Sequence, residues 1–263
     1  PVRDGVAATT NLPWQLVAGE LVDKLEIRQV ALLNDLEANA WGIQVLDAED
    51  YCVLQGGNHD PAGNAAVIAA GTGLGEAGMY RDDRCYRPFA TEGGHTDFSP
   101  ANELEFALLC FLQRQFEHVS WERTLSGPGL VNIHAFLRDY RGSEIPDWLA
   151  ESLRTEDPAA AISQAALLEQ DAICVEALDL FVHLYGVEAG NLALKMMATG
   201  GVYLGGGIAP RIIGKLQEKQ FLQGFCSKGR MQPLLEAMPV RVILNDRTAL
   251  YGPAVYGALS VNS

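Results

Sequence analysis

The hydrophobic pattern in the first third of the chain alternates between the strand period and the helix period. Val6 to Thr9 and Val30 to Leu33 are short apolar runs that end at polar residues, which predicts two strands. Leu36 to Leu46 carries apolar residues at helical spacing. Strand-like runs return at Tyr51 to Leu54 and Ala65 to Ala70. This order predicts an α/β fold.

The middle of the chain is instead helical. Apolar side chains recur at helical spacing over Asn102 to Phe116 and over Ala172 to Met197. Three prolines predict boundaries between the helices of this region: Pro128, Pro146 and Pro158. We therefore expect a helix-rich insertion at about residues 101–198.

Strand-like segments return near the end of the sequence. Gly201 to Leu204 and Val240 to Leu244 predict buried strands, and a final helix is expected from about Thr248. The sequence contains no internal repeat, no low-complexity tract and no Gly/Ser-rich linker. One helix-rich insertion inside an α/β framework therefore fits the pattern best.

Composition and charge exclude several classes of partner. The chain has 263 residues, 48% of them hydrophobic, which allows a substantial core. Its formal net charge of -14 opposes binding to nucleic acid, which requires clustered Lys and Arg. No apolar run approaches the roughly 20 residues that span a bilayer, so we expect no membrane insertion. Five widely spaced cysteines without a Cys-x-x-Cys pair are typical of reduced thiols in the cytoplasm.

A glycine-rich segment, Gly71-Thr72-Gly73-Leu74-Gly75, follows a predicted strand. Glycines let the backbone approach an anion and expose successive N–H groups to it, which favours phosphate binding. The alternative is a tight hairpin turn. Gly73, Gly75 and Gly78 also match Gly-x-Gly-x-x-Gly, but Glu76 to Arg87 reads as a turn with short strands. A dinucleotide site would need a long helix there.

A second glycine cluster, Gly205-Gly206-Gly207, follows the strand predicted at Gly201 to Leu204. Pro210 is suited to the start of a helix just beyond it. Backbone without side chains offers a flat surface on which a purine can lie. The cluster is therefore a candidate nucleotide contact, and the alternative is that close packing alone requires these glycines.

Asn34 and Asp35 follow a predicted strand, at a position where α/β proteins tend to place ligand-contacting residues. Asp35 can accept the proton of a substrate hydroxyl as that hydroxyl attacks a phosphoryl group. The alternative is that Asp35 caps the helix from Leu36, since Asp is a favoured N-cap residue.

Two glutamates and a histidine are candidates for binding a polyol. Glu92 and His95 flank two glycines in a loop that is too flexible for a regular strand. A carboxylate accepts hydrogen bonds from hydroxyls and an imidazole donates or accepts them, although a polar surface loop is the alternative. Glu122 is expected near the start of a helix capped by Ser120, where helix polarity alone would also favour its charge.

In this order the motifs resemble the bacterial ATP-dependent glucokinase family, which is distinct from the ROK sugar kinases and belongs to the actin-like, hexokinase-like ATPase superfamily. The matching segments are Leu33-Asn34-Asp35, Ala70 to Gly75, Glu92 to Pro100, Ser120 to Leu130 and Gly206 to Arg211. The resemblance covers essentially the whole chain. It implies an α/β, ribonuclease H-like fold of two lobes, with residues 1–70 in the smaller N-terminal lobe and 71–263 in the larger C-terminal lobe.

By the same resemblance, the protein phosphorylates the 6-hydroxyl of glucose with ATP and Mg²⁺, the first step of glycolysis. Asp35 is the implied catalytic base, and the implied partners of the sugar hydroxyls are Asn34, Asp35, Glu92, His95 and Glu122. The implied nucleotide contacts are Gly71, Thr72, Gly73, Gly75, Gly205, Gly206 and Gly207. Homodimers are common in the family, so the resemblance suggests a homodimer.

Two departures from the family pattern change what is expected of this chain. The family's opening Asp-x-Gly-Gly-Thr-like turn, which wraps the ATP phosphates and helps position Mg²⁺, does not occur in the sequence, and Leu36-Glu37 replaces an aromatic and a small polar residue. We therefore expect an incomplete N-terminal lobe, impaired Mg²⁺-nucleotide binding and weak or no kinase activity from this chain alone. The alternative function is a non-catalytic sugar-binding or regulatory protein derived from a glucokinase.

Overall fold

The computed structural model describes residues 2–8 and 14–260 and contains two compact units. The first unit is Pro1–Leu46 with Arg247–Ser263, and the second is Asp47–Asp246. These limits differ from the expected lobe boundary between residues 70 and 71, because strands on both sides of that boundary pair in one sheet of the second unit. The division into lobes stays a prediction.

The described residues form nine strands and eleven α-helices. The strands are β1 (Val2–Arg3), β2 (Val6–Ala8), β3 (Gln15–Val17), β4 (Tyr51–Gln55), β5 (Ala65–Ala70), β6 (Leu74–Arg81), β7 (Tyr86–Ala90), β8 (Gly201–Gly205) and β9 (Val240–Ile243). The helices are α1 (Ala18–Leu25), α2 (Asp35–Gly42), α3 (Glu103–Leu112), α4 (Gly127–Arg141), α5 (Asp147–Thr155), α6 (Pro158–Leu167), α7 (Ala172–Met196), α8 (Ile213–Leu216), α9 (Lys219–Cys226), α10 (Gln232–Ala237) and α11 (Thr248–Ser260).

The first unit combines a small antiparallel sheet with helices. Strands β1, β2 and β3 pair in chain order. Helix α2 packs against α11, where the rings of Trp41 and Tyr256 meet edge to face at 5.5 Å between centroids. Aromatic pairs in this geometry add a small stabilisation beyond the area that they bury.

The second unit is built on a six-stranded mixed sheet in the order β4-β9-β8-β5-β6-β7. Strands β9, β8 and β5 are parallel, whereas β4, β6 and β7 run antiparallel to their neighbours. The central strand β5 consists of alanine, valine and isoleucine and is almost wholly buried, as expected for a strand that is covered on both faces. The carboxyl ends of β5 and β8 therefore lie together at one edge of the sheet.

Helix α7 forms the centre of the core of the second unit. Its apolar residues lie on all sides of the helix, and Leu178, Phe181 and Tyr185 are fully buried. It packs against α4, α6, α9 and the central strand β5. At Gly186 an added Cβ would lie 2.0 Å from the Phe221 carbonyl oxygen, so glycine allows α9 to approach. A helix that is hydrophobic on every side is buried in this way.

Most of the predicted elements are confirmed, but a predicted strand is wrong. The prolines mark helix starts as expected, and the long helix predicted at Ala172 to Met197 ends within one residue of its prediction. The strand predicted at Val30 to Leu33 is not formed, since residues 29–34 have no regular secondary structure. An apolar run becomes a strand only where a neighbour can pair with its backbone groups. Thr9, the predicted end of β2, lies outside the described residues.

Among the described residues, no helix combines the length and the apolar character that crossing a membrane requires. The five cysteines all lie in the described part of the chain and all are free thiols there.

Candidate active site

The two glycine segments lie side by side because the strands that precede them are parallel neighbours. Ala69 of β5 pairs with Gly205 of β8. Beyond the strand ends, the Ile208 N–H donates a hydrogen bond to the Ala70 carbonyl oxygen at 3.4 Å. Two segments that are far apart in the sequence thus meet at the carboxyl edge of the sheet, where ligands of α/β proteins commonly bind.

The first glycine segment is a hairpin turn between β5 and β6. The Gly71 N–H donates to the Gly73 carbonyl oxygen at 2.9 Å, and the Gly71 carbonyl oxygen accepts the Gly127 N–H at 2.8 Å. The second bond ties the turn to the first residue of α4. The alternative prediction of a tight hairpin turn is therefore confirmed. It does not exclude phosphate binding, since a glycine turn can still present N–H groups to an anion.

The second glycine segment requires glycine at its centre. Gly206 has a φ of +79°, and an added Cβ would lie 2.3 Å from the Ala70 carbonyl oxygen. Close packing against β5 therefore explains Gly206. It does not explain Gly207, where an added Cβ would meet nothing within 4 Å. The packing alternative and the ligand interpretation thus apply to different glycines of the same cluster.

A cavity of about 820 Å³ opens beside both segments and is also lined by α4, α6 and α7. Gly71, Thr72 and Gly207 belong to its described lining. The other predicted nucleotide contacts do not: Gly73, Gly75, Gly205 and Gly206. Gly75 and Gly205 are paired strand residues, and Gly206 packs closely against the Ala70 carbonyl. The cavity has the volume of a small-molecule site.

The wall of the cavity also includes residues for which the sequence predicted no binding role. Its apolar part is formed by Leu130, Val131, Leu178, Ile208 and Ile212. Its polar side chains are Asn132, Asp157, Ser163 and Arg211. Asp157 caps α6 by accepting the Ala159 N–H at 3.1 Å, so the Asp-Pro pair at this helix start was the available sequence signal.

Glu122 connects the candidate sugar-binding residues to the first glycine turn. It lies in a 3₁₀ turn, Trp121–Arg123, and its Oε2 accepts the Leu74 N–H at 3.0 Å. The predicted helix with a Ser120 cap is wrong, because the α-helix begins later, at Gly127, with Ser126 as its cap. Gly73 faces this carboxylate, since an added Cβ there would lie 2.5 Å from Oε2. The Glu122 carboxylate therefore accepts a hydrogen bond from the backbone of β6 and does not lie at the start of an α-helix.

Glu92 and His95 lie in the same unit as Glu122, on a second 3₁₀ turn, Gly93–His95, which we call the 92–95 turn. Their side chains are 72% and 62% exposed, and His95 Nδ1 lies 3.9 Å from Glu92 Oε2. A backbone bridge between Asp97 and Ser120 holds the segment after this turn beside the segment that carries Glu122. The predicted polyol-binding residues of the second unit are thus on adjacent segments.

Asn34 and Asp35 belong to the first unit and begin α2. Asn34 is the N-cap, because its Oδ1 accepts the Glu37 N–H at 2.7 Å. Asp35 is the first helical residue, and its Oδ1 accepts the Leu36 N–H at 2.9 Å. The alternative of Asp35 as the cap is therefore wrong by one residue. Asp35 is exposed, so its carboxylate remains a candidate base.

A separate polar cluster in the core joins α4 to the start of α7. Arg138 donates to His134 Nε2 at 3.2 Å and to Asp171 Oδ1 at 2.6 Å. Burial, with the charge of Arg138, lowers the pKa of His134 to about 4. His134, Asp171 and Cys174 come close enough together to bind a metal ion, but the Arg138 guanidinium already occupies the imidazole and carboxylate. The cluster is therefore a structural link between two helices.

Comparison with known proteins identifies the fold. A solved glucokinase from an Antarctic psychrotroph superposes with a TM-score of 0.85 at 31% identity, covering 97% of this chain and 76% of that one. A ROK family glucokinase from Streptomyces griseus, solved with glucose and AMPPNP, superposes with a TM-score of 0.59 at 21% identity, covering 92% of this chain and 72% of that one. The fold and the cavity at its sheet edge define a sugar kinase with the actin-like fold, an enzyme of the transferase class.

The sequence comparisons are more specific. A family model described as Glucokinase matches residues 1–260. A glucokinase from Nostoc sp. strain PCC 7120 is 43% identical over 271 aligned residues, which cover 98% of this chain and 79% of the relative. The chain belongs to the glucokinase family.

Proposed function

We propose that the chain binds glucose and ATP and transfers the terminal phosphoryl group of ATP to the 6-hydroxyl of glucose, at a weak rate in this chain alone. The observation that carries the proposal is the meeting of the two glycine segments beside one cavity of about 820 Å³. The S. griseus relative of this fold was solved with glucose and AMPPNP, which has the triphosphate chain of ATP with one bridging nitrogen. We therefore propose glucose and ATP as the substrates of this chain.

For the nucleotide, the cavity combines two kinds of surface. Gly71, Thr72 and Gly207 give a wall with little side-chain bulk, against which phosphates or a sugar ring can approach the backbone. The apolar wall that includes Leu130 and Ile208 suits the faces of a purine. We assign Gly71 and Thr72 to the phosphates and Gly207 to adenosine.

Mg²⁺ would arrive with ATP and neutralise charge on the phosphates as the phosphoryl group is transferred. Among the described residues that line the cavity, Asp157 is the one carboxylate. One carboxylate fits a magnesium ion that is held mainly by phosphate oxygens and water. We therefore propose no wider protein ligand set for the metal.

For the sugar, the proposal assigns hydroxyl contacts to Asn34, Glu92, His95 and Glu122, and proton acceptance to Asp35. A carboxylate on an exposed helix start can take a proton from a hydroxyl at the moment of attack. Because phosphoryl transfer depends mainly on positioning and charge neutralisation, the hydroxyl contacts matter as much as the base. The cytoplasmic location stays part of the proposal and is supported by the five free cysteines of the described chain.

Filling the cavity tests the nucleotide assignment. Gly207→Leu adds a side chain at a cavity-lining position where a Cβ meets nothing within 4 Å. Gly214→Leu is the matched control, since a Cβ there is equally unobstructed and Gly214 is outside the described lining. We expect Gly207→Leu to raise the Kd of ATP by more than about tenfold in calorimetry, and Gly214→Leu to leave it unchanged. Equal ATP affinity in both variants would remove the nucleotide from this cavity.

Asp35→Asn tests the base. The amide keeps the size of the side chain but cannot accept the proton, so glucose binding is expected to survive. Turnover, measured as glucose-dependent ADP formation under single-turnover conditions against the unmutated protein, is expected to fall by about 10²–10⁴-fold. Undiminished turnover in Asp35→Asn would show that Asp35 is not the base.

A further inference from the structure

Two buried carboxyl groups lie directly behind the 92–95 turn. Glu76 of β6 is 2% exposed and Glu188 of α7 is fully buried. Acidic side chains are almost never buried to this extent unless they are paired. Neither residue lines the cavity within its described part, and neither is needed by the roles assigned above.

The turn is attached to β6 at Glu76. The Thr91 N–H and hydroxyl both donate to the Glu76 carbonyl oxygen, at 3.3 and 2.9 Å. The Thr91 hydroxyl oxygen then accepts the Gly93 N–H at 3.2 Å. An added Cβ at Gly93 would lie 1.9 Å from Glu76 Oε2, so the carboxyl group fills the space that a side chain of Gly93 would need. The backbone between Glu92 and His95 therefore packs against the Glu76 carboxyl group.

Glu76 Oε1 is buried and has no hydrogen-bond partner among the described groups. The Glu188 carboxyl is close enough to raise the pKa of Glu76, and one proton on Glu76 would let it donate to Glu188, because two carboxylates can only accept. Burial and the neighbouring charge of Glu188 raise the pKa of Glu76 to about 8. Glu188 carries the negative charge better, since it accepts from Asn191 at 2.7 Å and lies 3.5 Å from Lys195 Nζ. At neutral pH we therefore assign the proton to Glu76.

The other charged or titratable groups around this pair come from several elements. Tyr185 of α7 stays neutral, because burial raises the pKa of its hydroxyl, which bonds to the β5 backbone at Ile68 and Ala70. Lys228, which follows α9, interacts electrostatically with Glu188 and donates to the Val187 carbonyl oxygen at 3.0 Å. On the turn itself, Glu92 and His95 extend into solvent. Lys195 lies within ion-pair distance of Glu188, whereas no ion pair to Glu76 is found among the described residues.

We propose that Glu76 is a positioning residue for sugar binding: its protonated carboxyl, beside Glu188, supports Gly93 and fixes Glu92 and His95, and ionisation of the pair releases the turn. The inference rests on the proposed roles of Glu92 and His95. It makes the affinity for glucose fall at alkaline pH through a group that does not touch the sugar. Hydrogen exchange of the turn and titration with glucose measure the two effects separately.

Hydrogen exchange of the 91–95 amides, followed by mass spectrometry, reports on the turn without any ligand. After correction for intrinsic exchange, the unmutated chain is expected to lose protection there as pH rises through about 8. Glu76→Gln, which stays neutral and can still donate to Glu188, is expected to keep its protection. The amides of α3 serve as an internal control. The same pH course in both proteins would overturn the proposal.

Glu188→Gln is the second variant, and it keeps the test decisive if Glu76→Gln does not fold. Removing the negative charge beside Glu76 favours its ionisation, so protection of the turn is expected to be lost at a lower pH than in the unmutated chain. A midpoint that stays where it was, or moves to higher pH, would contradict the pairing.

Glucose titrations form the second arm. From pH 7 to 9.5, the Kd of glucose is expected to rise about tenfold in the unmutated chain and to stay constant in Glu76→Gln. Glucose binding that is independent of pH, alongside a turn that loosens, would overturn the positioning role. Absence of glucose binding in every protein at every pH would refute the proposed function, while the exchange data would still decide whether Glu76 supports the turn.

Discussion

At the scale of single residues, Gly206 and Gly207 separate packing from ligand binding. Gly206 has a left-handed backbone and no room for a Cβ, whereas its neighbour has both an ordinary backbone and open space. Gly206→Ala is therefore expected to lower the free energy of unfolding by about 1–3 kcal/mol. Gly207→Ala is expected to stay within about 0.5 kcal/mol of the unmutated protein.

Urea unfolding of the two alanine variants makes this comparison. Equal losses of stability in Gly206→Ala and Gly207→Ala would mean that the contact between Gly206 and the Ala70 carbonyl is not what restricts this turn. Because the two positions are adjacent, effects on the unfolded chain cancel to first order.

Local backbone geometry was easier to predict than contacts between distant segments, and the ligand roles of the candidate residues stay predictions. Asn34 and Asp35 were expected at a helix start, which is confirmed, with the cap at Asn34 instead of Asp35. Glu76 gave no signal, because a glutamate in a sequence is read as exposed, and only β6, α7 and the turn together show it to be buried. The hydrogen bond from the Leu74 N–H to Glu122 likewise joins residues 48 positions apart, beyond the reach of a local pattern.

At the scale of elements, the link between α4 and α7 makes stability depend on pH. The pKa of buried His134 lies near 4, below its value of about 6.5 in an unfolded chain. The unfolded chain therefore binds more protons between these values, and the protein loses stability as pH falls from 6.5 through 4. At 1.36 kcal/mol per unit of pKa, the loss amounts to about 3 kcal/mol at most.

His134→Gln tests this link, since the glutamine oxygen can still accept from Arg138 but does not titrate. Unfolding in urea at pH 7 and at pH 5 is expected to show a smaller loss of stability on acidification than in the unmutated protein. His59→Gln, an exposed histidine, is the control and is expected to follow the unmutated protein. An unchanged pH dependence in His134→Gln would contradict a buried neutral histidine.

Elements with a strong period were predictable, as α7 and β5 show. The strand expected at Val30 to Leu33 is not formed. The hydrophobic pattern indicates which side chains can be buried, whereas a strand also needs a neighbour that pairs with its backbone groups. The 3₁₀ turns that carry Glu92 and Glu122 were not predicted as such, since one turn of helix is too short to produce a period. These short turns nevertheless carry all three candidate sugar contacts of the second unit.

At the scale of the whole molecule, the order of the motifs along the chain was enough to indicate the family and its fold. The sequence could not show that the starts of α4 and α6 close the cavity, because that depends on how distant helices pack around α7. Nor did it show which glycines face the ligand space and which only allow close packing. The cavity, rather than the motifs, therefore supplies the new information about the nucleotide.

A calorimetric titration of the folded chain and of its Glu92→Ala variant with glucose tests directly whether this chain has a sugar site. We expect saturable binding at one site per chain, weakened at least about tenfold in the variant because a hydroxyl contact is lost. Glu103→Ala, a change at the start of α3 away from the candidate site, is the control and is expected to bind as the unmutated chain does. A folded chain that gives no saturable heat with glucose would contradict the account.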